Sequence, residues 1–253
     1  MEQGFMAPGF WIETIHRCCP ILNRKMTPMT NPTDTACRKC GTCCRKGGPA
    51  LHGEDRFLVI EGLIPAENLY TIRPGEPVQD NVTGHRAYAD GDIIKIKGQG
   101  DSWCCCFLND ADSCCTVYDR RPVECRALQC WDTRAIEALY AKDRLTREDL
   151  LGAVEGLWEL ILDHENRCAY RLIREQVERL ALKPPENTAA IRTITEMVKY
   201  DESLRKLLVE SGHAPEAMLD FLLGRPLVRT LPGFHIKVEQ DAGKIRLVHS
   251  PLT

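Results

Sequence analysis

Apolar residues recur at helical spacing through the C-terminal half of the chain. Leu150, Leu151, Val154, Leu157, Trp158, Ile161 and Leu162 form one continuous stripe behind Thr146-Arg147-Glu148-Asp149, a run that reads as a capped helix start. The next stripe joins Leu172, Ile173, Val177 and Leu180, and Cys168 falls on its face as a core cysteine. Pro184-Pro185 breaks the run, residues 187–198 resume it, Gly212 and Gly224 read as helix ends, and Arg225-Pro226 ends the bundle. Beyond it, His235-Ile236-Lys237-Val238-Glu239 and Lys244-Ile245-Arg246-Leu247-Val248 alternate about Asp241-Ala242-Gly243. Period 2 around a turn predicts a β-hairpin, which could pair with an earlier one.

The N-terminal half is patterned more sparsely. Phe57, Ile60, Leu63 and Ile64 predict a short helix over 54–63, with Asp55 as its cap. Two short alternating runs between Arg86 and Lys97, divided by Ala89-Asp90-Gly91-Asp92, predict a hairpin that delivers Trp103 and Cys106. Residues 1–34 mix Pro8, Pro20, Pro28 and Pro32 with Gly4 and Gly9 and show no sustained period. They are expected to form a disordered, dispensable extension, with Met26 or Met29 as alternative starts. The fold class is therefore α+β. A loop- and hairpin-rich module at 35–133 precedes a helical region at 134–225 and a β-hairpin at 226–253.

Composition narrows the function classes. Lys plus Arg total 33 against 36 Asp plus Glu, so no electrostatic footprint points to nucleic acid or an anionic membrane. No apolar run approaches a membrane span, and the expected location is the cytoplasm. A protein partner is not identified by the sequence.

Cysteine placement changes the picture most. Cys37-Arg38-Lys39-Cys40-Gly41-Thr42-Cys43-Cys44 puts four of the 14 cysteines into C-x2-C-x2-C-C. Two-residue gaps let thiolates fold back on one metal centre, Gly41 suits the positive φ of such a loop, and freed N–H groups can bond the sulfurs. A disulfide framework suits short secreted chains, a thioredoxin-like motif needs a βαβ context, and scattered core cysteines do not cluster so closely. Metal is the reading that remains. A second group follows at Cys104-Cys105-Cys106, Cys114-Cys115, Cys125 and Cys130. No single ion binds eleven cysteines, so some of Cys44, Cys104, Cys105 and Cys114 are spare, supporting, or ligands of a second centre. Adjacent cysteines tend to point apart, and Cys18-Cys19 lack a spaced partner.

At these residues the chain resembles the YkgJ-type cysteine-cluster proteins, the CxxCxxCC zinc- or iron-chelating family. The resemblance rests on Cys37 to Cys44, Cys106-Phe107-Leu108, Cys115-Thr116-Val117-Tyr118, Arg121-Pro122 and Cys125-Arg126, and spans about 35–133. It implies Cys37, Cys40, Cys43, Cys44, Cys106, Cys115 and Cys125 as chelating residues, with Cys130 a common additional member. Cys104, Cys105 and Cys114 depart from the family's core pattern. Some relatives are flagellin lysine N-methylases, but no glycine-rich turn after an apolar strand announces an adenosyl-cofactor pocket here, and catalytic residues are not assigned.

Three function classes follow: a metal-binding protein with storage, electron-transfer or sensory use, an enzyme that uses the cysteine domain, and a structural zinc module for partner binding. Three cysteines at two-residue intervals favour an iron–sulfur cluster over Zn as the cofactor. Among the seven histidines only His52 lies near the first cluster, and it is expected to be solvent-facing or supporting rather than a ligand. His164 and His213 read as helix-end imidazoliums. Arg121 and Arg126 flank Cys125 as counter-charges, whereas Arg38, Lys39, Arg45 and Lys46 read as solvated surface.

Overall fold

The computed structural model describes residues 37, 39–180, 182, 186–241 and 244–249. The N-terminal extension, Cys18-Cys19 and Pro184-Pro185 lie outside the described residues. The architecture is α+β, with small antiparallel strand pairs and a helical region. Two compact units interleave along the chain. One takes the described residues up to Ile64 with Gln79–Arg86 and Lys95–Arg144, and the other takes Pro65–Val78, Ala87–Ile94 and the described residues from Leu145 onward.

In chain order the strands are β1 (Leu69–Ile72), β2 (Pro77–Gln79), β3 (Arg86–Tyr88), β4 (Ile93–Ile96), β5 (Leu108–Asn109), β6 (Cys114–Cys115), β7 (Ile236–Asp241) and β8 (Lys244–His249). The hairpin expected over 86–97 does not form. β4 pairs with β1 and β3 pairs with β2. The consecutive isoleucines explain the difference: Ile93, Ile94 and Ile96 of β4 are all buried, so this strand is covered on both faces and shows no clean alternation. β7 and β8 pair as expected from Ile236 opposite His249 to Asp241 opposite Lys244, but they form a sheet of their own and join no earlier strand among the described residues.

The cysteine-bearing unit has a small apolar core in Ala50, Leu51, Leu58, Ile64, Ile96 and Leu108. Its helix Arg56–Ile60 is shorter than expected and turned differently. Leu58 is buried, while Phe57 and Ile60 are exposed. Asp55 does not cap this helix. It is buried instead, with its carboxylate accepting from His52 N at 3.1 Å and Val123 N at 2.9 Å.

The other unit is mainly helical. Thr146 caps the helix Arg147–Leu151 in a reciprocal box with Asp149. That helix stops at Gly152, and a new one runs over Leu157–Arg167, so the single stripe drawn from Leu150 to Leu162 is broken and Val154 and Leu162 are exposed. Helices Tyr170–Leu180 and Glu186–Glu210 pack through Ile173, Ile194, Met197 and Val198. Leu227, Leu231, Phe234 and Ile236 complete this core, and Cys168 belongs to it. Gly212 and Gly224 follow helix ends at φ +72° and +73° as expected. Pro226 does not end the helices, because its fixed φ starts one more short turn, Leu227–Thr230.

His164 lies in the last turn of its helix but not as an imidazolium. It is fully buried, Nε2 meets Asp201 Oδ1 at 2.8 Å, and Nδ1 has no hydrogen-bond partner. Burial pushes its pKa below the ordinary 6.5, and the positive Arg73 and Arg205 act in the same direction against the pull of Asp201. The neutral ring fits, since a second N–H would have no acceptor. With the folded pKa depressed, the unfolded chain takes up the proton first, so stability is full above pH 6.5 and falls as pH drops through that value. Thermal melts from pH 8 to pH 5 are expected to show this loss, and His164→Gln to flatten it. An unchanged slope in the variant would assign the acid sensitivity to other groups.

Candidate metal centre

Gly41 has φ +71°, which bends the first cysteine run back on itself. A Cβ there would stand 2.8 Å from the Arg45 guanidinium and 3.2 Å from Leu108. The turn is closed by Arg45 N donating to Gly41 O at 3.0 Å and Lys46 N to Cys43 O at 3.1 Å. Sulfurs also find local partners as the spacing suggested: Lys39 N donates to Cys37 Sγ at 3.4 Å, and Cys40 Sγ lies 3.3 Å from Thr42 Oγ1. Cys37 and Cys40 are exposed, whereas Cys43 and Cys44 are half-buried. Their sulfurs are 4.0 Å apart, so this adjacent pair does not point in opposite directions.

The second cysteine group is brought to the first by backbone bonds. Cys105 N donates to Cys44 O at 2.7 Å, and Cys106 N donates to Lys97 O at 3.0 Å. The β5–β6 ladder sets Leu108 opposite Cys115 and Asn109 opposite Cys114. Cross-strand partners share a face. Cys115 therefore turns with buried Leu108, while Cys114 is exposed with its thiol 3.7 Å from Asp112 O. Cys125 lies on the short helix Val123–Ala127 behind Pro122, and Cys130 lies in the turn that joins Gln129 to Asp132.

Thiol electrostatics report who neighbours whom. Cys43 is drawn down to about 6, first by the hydrogen bond from Cys44, which outweighs burial, and then by backbone N–H groups and Arg121. Cys44 is pushed up, because it gives that hydrogen bond, is itself partly buried, and feels Cys43, Cys125 and Cys105. Cys125 is pushed well up by burial and then by Cys43, Cys105, Glu124 and Cys115. Cys115 is raised by burial and, against a bond from Val117 N, by Cys105 and Cys43. Cys130 is raised by burial first, and also by Cys40, Cys37 and Cys43.

Of the expected residues, Cys43, Cys44, Cys115 and Cys125 thus meet from three separate stretches. Cys130 stands near Cys37, Cys40 and Cys43, and Cys106 sits beside Cys105. Cys105 itself, outside the expected set, lies within the gathering. Three consecutive cysteines at 104–106 hid it, since nothing in the sequence says which of them a loop turns inward. Among the described residues, no three His, Cys, Asp or Glu side chains are placed to hold a metal ion together. The chemistry of the donor set, thiols crowded on thiols with Arg121 nearby, still fits zinc or an iron–sulfur cluster. Such crowding opposes ionisation of the thiols, which a bound cation would reverse.

A buried polar brace stands behind Cys125. Glu124 accepts from Ala50 N at 2.7 Å, and its other oxygen lies 3.2 Å from His52 Nε2. His52 Nδ1 meets Lys142 O at 2.6 Å. His52 is therefore buried rather than solvent-facing, and both ring nitrogens are engaged away from the sulfurs. Burial works against its proton, yet the bonds to Glu124 and Lys142 prevail and lift the pKa above 6.5. The supporting alternative expected for His52 is thus the one found, while its partner Glu124 left no sequence signal beyond adjacency to Cys125.

Lys39 and Arg45 are exposed, as expected of a solvated surface, and each also holds a local contact. Lys39 and Arg121 both approach the Tyr118 ring at 4.1 Å. Arg45 donates to Cys40 O at 3.1 Å and Ser113 Oγ at 2.9 Å, which ties the first loop to the β5–β6 turn. Lys46 is half-buried, and Arg38 lies outside the described residues. Arg126 bonds Arg121 O and pairs with Glu54, so it braces the Cys125 helix.

Residues 36–149 match the family model CxxCxxCC, described as a "Putative zinc- or iron-chelating domain". The cysteine-cluster resemblance therefore holds over the whole of both cysteine groups and about sixteen residues past the boundary drawn at 133. No curated protein and no solved structure matches the chain. No helix among the described residues is long and apolar enough to cross a membrane.

Proposed function

We propose that this protein holds a metal centre through cysteines of both groups, drawn from Cys37, Cys40, Cys43, Cys44, Cys106, Cys115, Cys125 and Cys130, and that the centre is an iron–sulfur cluster in preference to zinc. The observation that supports this reading most directly is the meeting of Cys43, Cys44, Cys115 and Cys125, from three stretches of chain, closely enough that Cys43 opposes ionisation of the other three. Soft sulfur donors in this number suit zinc or iron, and the match to a chelating family agrees. The preference for iron rests on the two-residue spacing of Cys37, Cys40 and Cys43. A bound cluster would supply one-electron chemistry or a sensing centre, and zinc would supply a fixed cross-link.

Metal analysis with an absorption spectrum, on protein purified without oxygen, tests the reading. Brown protein with iron and broad visible absorption that bleaches on reduction is the expected result. Colourless protein with stoichiometric zinc and negligible iron, not reconstituted by iron and sulfide, would move the function to a structural module. One feature favours that second reading as a partner-binding surface: Trp103 and Trp131, each next to the cysteine loops, are 61% and 44% exposed. Protein that binds neither metal would remove both readings.

A further inference from the structure

We propose that Cys43 and Cys44 close into a reversible disulfide with each other when the metal centre is empty, so that a hydroperoxide gates metal loading. The proposal rests on the reading of these cysteines as a metal site and adds its regulation. Adjacent side chains tend to point apart, yet here the two sulfurs stand 4.0 Å from each other. The backbone turns them together. Cys43 sits at φ −65° and ψ −39°, and the turn Cys44–Lys46 that follows is closed by Lys46 N on Cys43 O at 3.1 Å and Gly47 N on Cys44 O at 3.4 Å. Both residues are only half-buried, so a small oxidant reaches them. Cys40, the partner that a C-x2-C disulfide would use, is exposed, and its thiol lies 3.3 Å from Thr42 Oγ1.

Metal and disulfide compete for this one pair. Two sulfurs at such a separation can share an ion about 2.3 Å from each, the usual zinc–thiolate length. Without the ion, side-chain rotation brings the same sulfurs into bonding distance. One thiol attacks the O–O bond of the hydroperoxide and becomes a sulfenic acid, while the oxidant leaves as water or an alcohol. The second thiol then attacks that sulfur and expels water, so two thiols lose two electrons and the O–O bond takes them. Neighbouring residues hold their Cα atoms about 3.8 Å apart, below the usual disulfide range of about 4.4–6.8 Å. A bond closed across so short a span is strained and readily reduced, which suits a switch rather than a staple. Since the thiolate is the form that binds metal, oxidation removes both sulfurs from the donor set.

Two measurements test this on the full chain. Reduced, metal-free protein is treated with hydrogen peroxide, its remaining thiols are alkylated under denaturing conditions, and the peptide 40–45, released by cleavage after Lys39 and Arg45, is read by tandem mass spectrometry. The expected peptide carries an alkyl group on Cys40 alone and is two hydrogens lighter at Cys43-Cys44. Dithiothreitol before alkylation is expected to restore both thiols, and Cys44→Ala to abolish the loss of hydrogen. Alkyl groups on both Cys43 and Cys44, or a link from Cys43 to any other cysteine, would overturn the proposal. Zinc titration then reads the gate. The oxidised chain is expected to bind zinc more than about 100-fold more weakly than the reduced one, because loss of even a supporting partner costs about 10–100-fold. Equal zinc affinity overturns the gate and leaves the metal site standing, whereas a reduced chain that takes up neither zinc nor iron overturns both.

Discussion

Replacing Cys125 by serine is expected to empty the metal centre and unfold the cysteine-bearing unit. Cys125 is the sulfur on which Cys43, Cys105 and Cys115 all act, and its helix is locked by Glu124, His52 and Asp55. A serine there cannot replace a thiolate. The apolar core of this unit is small, so metal at the proposed centre is expected to supply much of its folding energy. Structural zinc in small modules contributes on the order of 10–16 kcal/mol at neutral pH. Cys37→Ser is expected to lower occupancy with a smaller effect on folding, because Cys37 is exposed. Metal content and the loss of tertiary circular dichroism measure the two effects. Full metal retention in the Cys37→Ser, Cys125→Ser double variant would remove the proposed centre altogether.

The parts of the fold visible from sequence are those where one local rule acts alone. The Thr146 cap, the core position of Cys168 and the C-terminal hairpin each follow from a short pattern that tertiary contacts leave in place. The failures share a cause. Phe57 and Ile60 have helical spacing but are exposed, because the helix is only five residues long and is oriented by the buried Asp55 and Leu58. β3 and β4 follow one another in sequence but pair with β2 and β1, a choice made by burial of Ile93, Ile94 and Ile96 rather than by the turn between them. The candidate site divides the same way. Spacing marked the Cys37–Cys44 loop and the family resemblance marked Cys115 and Cys125, but the inward turn of Cys105 depends on a bond to Cys44 O across some sixty residues of chain. No local signal encodes such a contact.

Arg147→Met is expected to destabilise the helical unit by about 3–5 kcal/mol, the usual cost of removing one partner from a buried charge network. Arg147 opens a helix, yet it is only 2% exposed. Its guanidinium takes Asp92 in a two-point bond at 2.7 and 2.8 Å, Glu165 at 2.8 Å and the Leu222 carbonyl at 3.0 Å. Glu165 would keep Arg73 at 3.3 Å, but Asp92 would lose the guanidinium that holds both of its oxygens. Methionine fills similar volume and leaves the backbone bond from residue 147 N to Asp92 at 3.2 Å, so the loss reads a carboxylate without its counter-charge rather than a cavity. The exposed pair Arg171 and Glu175 is the control, because solvent screens it and Arg171→Ala is expected to cost under about 1 kcal/mol. Denaturant midpoints of the two variants measure the difference. If Arg147→Met behaves like Arg171→Ala, then water reaches Asp92 in solution and the network does not hold the unit together. If adding Asp92→Asn to the Arg147→Met variant recovers part of the loss, the buried charge is its cause, since removing the orphaned carboxylate relieves a penalty that no packing defect would share.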